Sequence, residues 1–312
     1  MPVIIRPAIP TQDFESVAAI LSIYENERIT AAQLTEIHKR SASDDQIHHQ
    51  IVAETDGTVV GFGNVFRTPW MKPDRYFVKV WTHPDRCSQG IGTQLFDAAV
   101  GYAQSNGATS FESNVFDNDP HALRFAQAHG FKIQRHLFES RINLATFDMS
   151  PFDQIIEQVK ANGIRLFTLA DVGKTKENLH KLWEVNYATY MDDPGNTGTY
   201  PNFEDFLKLS QSEWFNPNSQ FLAADGDQYI GLSAIRYEPE YNTFYNMMTG
   251  VMPAYRGRKI ALALKLMTIA YAKQQNSSSI HTDNDSQNAP ILAINRKLGY
   301  KPEPGVYRLS TD

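Results

Sequence analysis

One cysteine, Cys87, is present among 312 residues. No intrachain disulfide can form, which suits a reducing compartment, and a cytoplasmic location is expected. No apolar run approaches the roughly 18 residues that a membrane-spanning helix requires, so no membrane association is expected. The N-terminal MPVIIRPAIP has no basic region followed by an apolar core, and no secretory leader is expected. Basic clusters are also missing. With 29 Lys and Arg against 35 Asp and Glu the formal net charge is −6, which argues against nucleic acid as a partner. The pattern G-x-x-x-x-G-K-[ST] does not occur, which removes a P-loop nucleotide site. No group of cysteines and histidines has metal-ligand spacing, and no metal is expected. What is present is ordinary for a globular protein, 42% hydrophobic and 21% charged residues, in a length that suggests about two domains.

The chain is organised around Thr82 to Gly107. A strand-like run, Tyr76 to Thr82, leads through Pro84 into Cys87-Ser88-Gln89-Gly90-Ile91-Gly92. An amphipathic run follows, with apolar residues at Ile91, Leu95, Ala98, Ala99, Tyr102 and Ala103, ending at Asn106-Gly107. Strand, glycine loop and helix in this order make a candidate pyrophosphate cradle, because the first helical turn leaves backbone N–H groups unpaired. A second copy follows. Phe244 to Val251 leads through Pro253 into Arg256-Gly257-Arg258-Lys259-Ile260-Ala261 and an apolar helix. Pro84 and Pro253, Gly130 and Gly299, and Asp56 and Asp225 are each 169 positions apart. Anchors in one register indicate an internal duplication.

Each half resembles the GCN5-related N-acetyltransferase superfamily, whose acyl-CoA loop reads Q/R-x-x-G-x-G/A. Arg256 to Ala261 matches with Lys259 at the first glycine of the pattern. Cys87 to Gly92 keeps both glycines but has Cys87 at the Q/R position. The family's G-F ending is present as Gly130-Phe131 and Gly299-Tyr300. The tandem arrangement is similar to that of the mycothiol synthase-like acetyltransferases. The resemblance implies an α/β (α+β) fold class: two tandem domains, each a mixed, mostly antiparallel sheet flanked by helices. The composition break at Asp148-Met149-Ser150-Pro151 places the first domain at 1–150, a linker at 151–163 and the second domain at 164–312.

Taken in order, a first strand is expected at Val3 to Arg6 and a helix at Asp13 to Tyr24, followed by a polar, mostly helical stretch from Glu25 to Gln50. Asp56-Gly57 between two apolar runs marks a hairpin. Beyond the first loop helix come a strand near Ser110 to Val115, a helix near Pro120 to His129 and a closing strand from Lys132 to Leu144. A short helix, Phe152 to Lys160, precedes the restart at Ile164 to Thr168, with Asp171 a candidate N-cap. The halves differ most between Ala188 and Asn218, rich in Tyr, Asp, Asn and Pro. This segment reads either as an acidic, aromatic lid for a cationic amine, using Glu204, Asp205, Glu213 and Trp214, or as a solvated inter-domain loop.

The resemblance implies acetyl-CoA as donor, held by Gln89, Gly90, Ile91, Gly92 and Thr93 in one half. In the other, Arg256, Gly257, Arg258, Lys259, Ile260 and Ala261 take that part, with Asn288 at the family's asparagine position. Backbone N–H groups near Val80, Thr82 and Val251 would polarise the thioester oxygen. The family's frequent acid, a tyrosine four residues before the final glycine, is replaced by Ala126 and Asn295. Its other solution, a glutamate eleven residues before the Q/R position, is replaced by Tyr76 and Tyr245. Either these tyrosines donate to the departing thiolate, or both pack in the core. Asp283, with Asp285 and His281, is a candidate base through water. The alternative for that region is capping of the helix at Ala289-Pro290 by Asp285 or Ser286. The expected function is acetyl transfer to a primary amine of a small molecule. A degenerate acyl-CoA sensor or scaffold, and acetylation of protein amino groups, are the alternatives.

Overall fold

The computed structural model describes residues 2–25, 28–41, 47–69, 71–196 and 198–312. Parts of the expected Glu25–Gln50 helical stretch (26–27 and 42–46) and Thr197 in the expected lid lie outside the described residues. The chain packs as two compact units, Met1–Gln134 with Tyr307–Asp312, and Arg135–Val306.

In the first unit the order is β1 (Ile4–Pro7), α1 (Pro10–Tyr24), α2 (Ala31–Arg40), β2 (Ile47–Thr55), β3 (Thr58–Arg67), β4 (Arg75–Thr82), α3 (Ile91–Ser105), β5 (Ser110–Phe116) and α4 (Pro120–Ala128). The strands lie in the order β1-β2-β3-β4-β5. All neighbours are antiparallel except β4 and β5. The β2–β3 turn forms because Asp56 and Gly57 adopt φ +52° and +74°, as an Asp-Gly hairpin requires. Helix α3 buries Ile91, Leu95, Ala99 and Ala103, a four-residue spacing that makes one stripe. The stripe sits closely on the sheet because β3 has no side chain beneath it: a Cβ at Gly61 would stand 2.8 Å from Leu95 Cδ1. Leu95 is fully buried, and shortening it to Ala would cost about 2–5 kcal/mol.

The second unit holds most of β6 (Lys132–Asn143), then α5 (Ile155–Ala161), β7 (Arg165–Thr168), α6 (Leu169–Val172), α7 (Lys176–Met191), α8 (Phe203–Leu209), β8 (Gln220–Asp225), β9 (Gln228–Glu238), β10 (Thr243–Val251), α9 (Ile260–Gln274), β11 (Ser279–Asp285), α10 (Ala289–Lys297) and the start of β12 (Lys301–Ser310). The strand order is β12-β6-β11-β10-β9-β8-β7.

The compact units do not part at residue 150. Ser140, Arg141, Ile142 and Asn143 of β6 pair antiparallel with Thr282, His281, Ile280 and Ser279 of β11, which draws residues 135–150 into the second unit. The chain's last six residues are taken by the first, where Thr311 and Phe111 exchange backbone and side-chain hydrogen bonds. Residues 151–163 are not a bare linker either. Ile155 and Val159 of α5 join the core that buries Leu262, Leu266 and Ile269 of α9. Asp171 is not an N-cap: Thr168 caps α6, and Asp171 completes its capping box.

Candidate functional site

Strands β4 and β5 run together for three residue pairs, Arg75–Ser110, Tyr76–Phe111 and Phe77–Glu112, and then part. Val78–Thr82 and Ser113–Phe116 become the walls of a cleft of about 360 Å³. On its other side β4 stays paired with β3, and the His83 N–H bonds the Val60 carbonyl at 2.8 Å. Alternation along a strand therefore turns the N–H groups of Val78, Val80 and Thr82 toward the cleft. The apolar lining comes from Phe96 of α3, Val115 of β5, Ala126 of α4 and Phe131.

The glycine loop closes one end. Ser88 and Gly90 have φ +61° and +78°, and Gly90 is the N-cap of α3 with no side chain capping the helix. A Cβ at Gly90 would meet nothing within 4 Å. Uncapped helix N–H groups under open space are a place for an anion. The site therefore fits a long ligand with an anionic middle and an apolar arm. Gly90, Gly92 and Thr93 would hold the first, while the β4 edge and the apolar wall would hold the second. Cys87, the sole and exposed thiol, also lines the cleft.

Two ionisable side chains stand together in the cleft. Lys79 Nζ is 3.5 Å from Glu25 Oε1, 4.9 Å from the centre of the Trp81 ring and 5.7 Å from that of Phe116. Burial pulls the Lys79 ammonium below the usual lysine range, partly offset by Glu25. Tyr24 donates to the Thr82 carbonyl at 2.6 Å, and burial raises its phenol. Asp119 caps α4, accepting from the Ala122 N–H at 2.9 Å.

Strands β10 and β11 repeat the same geometry: three pairs, Thr243–Ser279, Phe244–Ile280 and Tyr245–His281, then separation. The side chains at the split differ. Lys265, at the repeat position of Phe96, is buried and donates from Nζ to Asn246 Oδ1 at 2.7 Å. Asn295, at the position of Ala126, donates to Asn284 Oδ1 at 2.8 Å, and Asn284 stands where Val115 does. The Thr282 hydroxyl donates to the Asn246 carbonyl, and the Asn246 amide to the Met248 carbonyl. The loop is occupied as well. Arg256 pairs with Asp192 and donates from Nε to the Val251 carbonyl at 3.0 Å. Asn288, the actual N-cap of α10 in place of Asp285 or Ser286, donates its amide to Asp193 Oδ2 at 2.8 Å. Lys259 donates to Gln158 Oε1 at 3.0 Å, and Arg258 lies over the Tyr255 ring.

The structure thus gathers Val80, Thr82, Gly90, Gly92 and Thr93 at one open cleft. Gln89 is exposed and donates to the Asp85 carbonyl, while Ile91 is core. Val251, Arg256 and Asn288 are brought together but engaged by their own unit; Gly257 adopts φ +78°, Ile260 is buried and Ala261 packs beside that core. Tyr76 does not reach the cleft. It is fully buried, and its hydroxyl donates to the Asn106 carbonyl at 2.7 Å. Tyr245 donates to Asp283 Oδ2 at 2.6 Å, so these two candidates form a pair with each other. Sequence reasoning missed Lys79 and Glu25. A lysine between Phe77 and Trp81 on a half-buried strand was the available signal.

A family model described as the acetyltransferase (GNAT) family matches residues 14–131 and again 179–300. The chain belongs to the GNAT acetyltransferase family. Both matches span a strand split and its glycine loop, so the duplication is of whole family domains, and membership supports acyl transfer as the general chemistry. A mycothiol acetyltransferase of Stackebrandtia nassauensis is 23% identical over 257 residues, covering 81% of this chain and 78% of that protein. A GCN5-related N-acetyltransferase structure from Sphaerobacter thermophilus superposes with TM-score 0.59 at 17% identity, over 99% of this chain and 95% of the other. A tandem GNAT protein from the clavulanic acid biosynthesis pathway gives 0.55 at 16% identity, over 99% and 98%. These two structures establish the tandem fold. No helix among the described residues is long and apolar enough to cross a membrane.

Proposed function

We propose that the protein transfers an acetyl group from acetyl-CoA to a primary amine of a small molecule, with the donor held in the first-half cleft. The observation that carries this reading is the β4–β5 cleft with its apolar wall and uncapped helix N-terminus, against a second strand split whose lining carries a buried lysine and asparagines bonded within their own unit. Acetyl-CoA supplies an activated thioester. The N–H groups of Val80 and Thr82 are the donors available to its acyl oxygen and arm, and the first turn of α3 is the seat for its pyrophosphate. Glu25 is the group in the cleft suited to take the proton from the attacking amine. Lys79 is suited to give one to the departing sulfur, because it stands in the cleft and burial loosens its hold on the proton. Cytoplasmic location follows as part of the same reading.

Acetyl-CoA titration by calorimetry on the intact protein and on Gly90→Glu and Gly257→Glu tests it. Both glycines have φ +78°, so the backbone strain is matched and only the site of the added carboxylate differs. Gly90→Glu is expected to weaken binding roughly 100-fold or more, through like charge beside a phosphate. Gly257→Glu is expected to leave it unchanged, and the reverse result would move the donor to the second half. Tight acetyl-CoA binding without turnover over a broad panel of amines would favour the sensor or scaffold reading.

A further inference from the structure

The second unit contains another cavity of about 360 Å³, lined by Glu213, Trp214, Asn216, Ser219, Tyr237, Phe244, Tyr271 and Gln275. It is formed by the connection after α8, the β9–β10 hairpin and the C-terminal end of α9. Tyr271 is eleven residues along α9 from Ile260, about 16 Å from the glycine-loop end. The cavity is therefore separate from the strand split of its own unit.

Its chemistry is of one kind. Four of the eight lining residues are aromatic, and no lysine, arginine or histidine is among them. The Tyr237 and Phe244 ring centres are 5.1 Å apart, and those of Phe244 and Tyr271 5.8 Å. Trp214 and Tyr237 are 39% and 45% exposed at the mouth of the cavity, each packed on one side against a phenylalanine, Phe215 and Phe244. Glu213 has no ion pair or hydrogen bond among the described residues, although nearby Lys208 is paired with Asp205. Gln275 is the C-cap of α9, where the helix carbonyls add negative potential. The one lysine in that last turn, Lys273, is turned to the Phe147 carbonyl. Aromatic rings, an unpaired carboxylate and a helix C-terminus together favour a cation and disfavour an anion.

We propose that this cavity binds a small organic cation, an alkylated ammonium group enclosed by Trp214, Tyr237 and Tyr271 with Glu213 as counter-charge. The volume takes a quaternary ammonium with a short substituent. A free metabolite and an alkylated lysine side chain present the same chemistry.

The test uses tetramethylammonium chloride, which has no N–H and cannot be an acetyl acceptor, so its outcome is independent of the transferase reading. Binding to the full chain is followed by ligand-observed NMR, beside the uncharged near-isostere 2,2-dimethylpropan-1-ol and, as the second source, a trimethyllysine peptide with its unmethylated counterpart. Saturable tetramethylammonium binding is expected, weakened about tenfold in Trp214→Ala and about fivefold in Glu213→Gln. The neutral isostere is expected to bind much more weakly, and acetyl-CoA affinity to be unchanged in both variants, which reports that they are folded. If the peptide binds more tightly than the free ion only when methylated, the cation is carried on a protein chain. Equal binding of the neutral isostere, or tetramethylammonium binding untouched by both variants, would overturn the proposal.

Discussion

The two strand splits are built on one backbone plan and are lined differently, one by apolar side chains and the other by polar ones. Both leave three paired residues and then open, and both face a helix entered through a left-handed residue, Gly90 or Lys259. In the first, Phe96, Val115, Ala126 and Phe131 make an apolar wall around empty volume. In the second, the same repeat positions carry Lys265, Asn284, Asn295 and Tyr300, of which the first three are hydrogen-bonded to Asn246, to Ser140 and to Asn284 respectively. The loop with the more complete family signature, Arg256 to Ala261, is the one whose arginine already holds a carboxylate. Motif completeness and an apolar wall have separated: the residues that define the motif persist, while those of the wall have been exchanged for polar ones, Asn295 bonded to Asn284 and Lys265 to Asn246.

Three experiments would break or sharpen this contrast. The largest effect is expected from the acid–base pair of the open cleft. Lys79→Met or Glu25→Gln should lower kcat about 100-fold while leaving acetyl-CoA affinity within a factor of two. Steady-state kinetics beside calorimetry separates the two quantities, and an equal loss in both would reduce the pair to a packing role. Next comes Lys265, which burial holds at a pKa of about 7. The unfolded chain binds its proton up to about pH 10.4, so the protonated lysine penalises the native state in full below pH 7. That penalty is relieved as pH rises through the window between those values. Lys265→Met should therefore be more stable than the parent at pH 7, with the gap narrowing by at most about 1.4 kcal/mol per pH unit toward pH 10. Urea unfolding at several pH values measures it, and a gap independent of pH would place the charge outside the polar network. The smallest effect is expected from carrying one second-half residue into the first. Ala126→Asn puts an unpartnered amide into the apolar wall and should weaken acetyl-CoA binding about tenfold. Unchanged affinity would mean that this wall does not touch the donor.

Much of the fold was legible because its signals are local. Asp56-Gly57 fixed a hairpin, Pro84 and Pro253 fixed a register, and the Ile91–Ala103 stripe fixed a helix. The exchange of β6 was not, since Lys132 to Asn143 reads as a closing strand whichever sheet it joins, and the choice is made by distant pairing with Ser279 to Asp285. The cradle residues of the first half were readable from glycine spacing. The occupation of the second was not, because Asp192 and Asp193 reach Arg256 and Asn288 through the path of a loop. One signal was available and unused. Aligning the repeats sets Lys265 against Phe96 and Asn295 against Ala126, and a lysine within IALALKLMTIAYA is a charge inside an apolar helix. Counting back from the loop fixes the places of Tyr76 and Tyr245 on their strands but not the partners of their hydroxyls, Asn106 and Asp283.

The most direct test of where the donor binds uses the single thiol. Cys87 is exposed and lines the first cleft, so a maleimide reports on that cleft and no other. Its labelling rate should fall at least tenfold, by exclusion from the occupied cleft, as acetyl-CoA reaches saturation, with a midpoint equal to the calorimetric Kd. Calorimetric binding with an unchanged labelling rate would contradict the account and put the donor elsewhere in the chain.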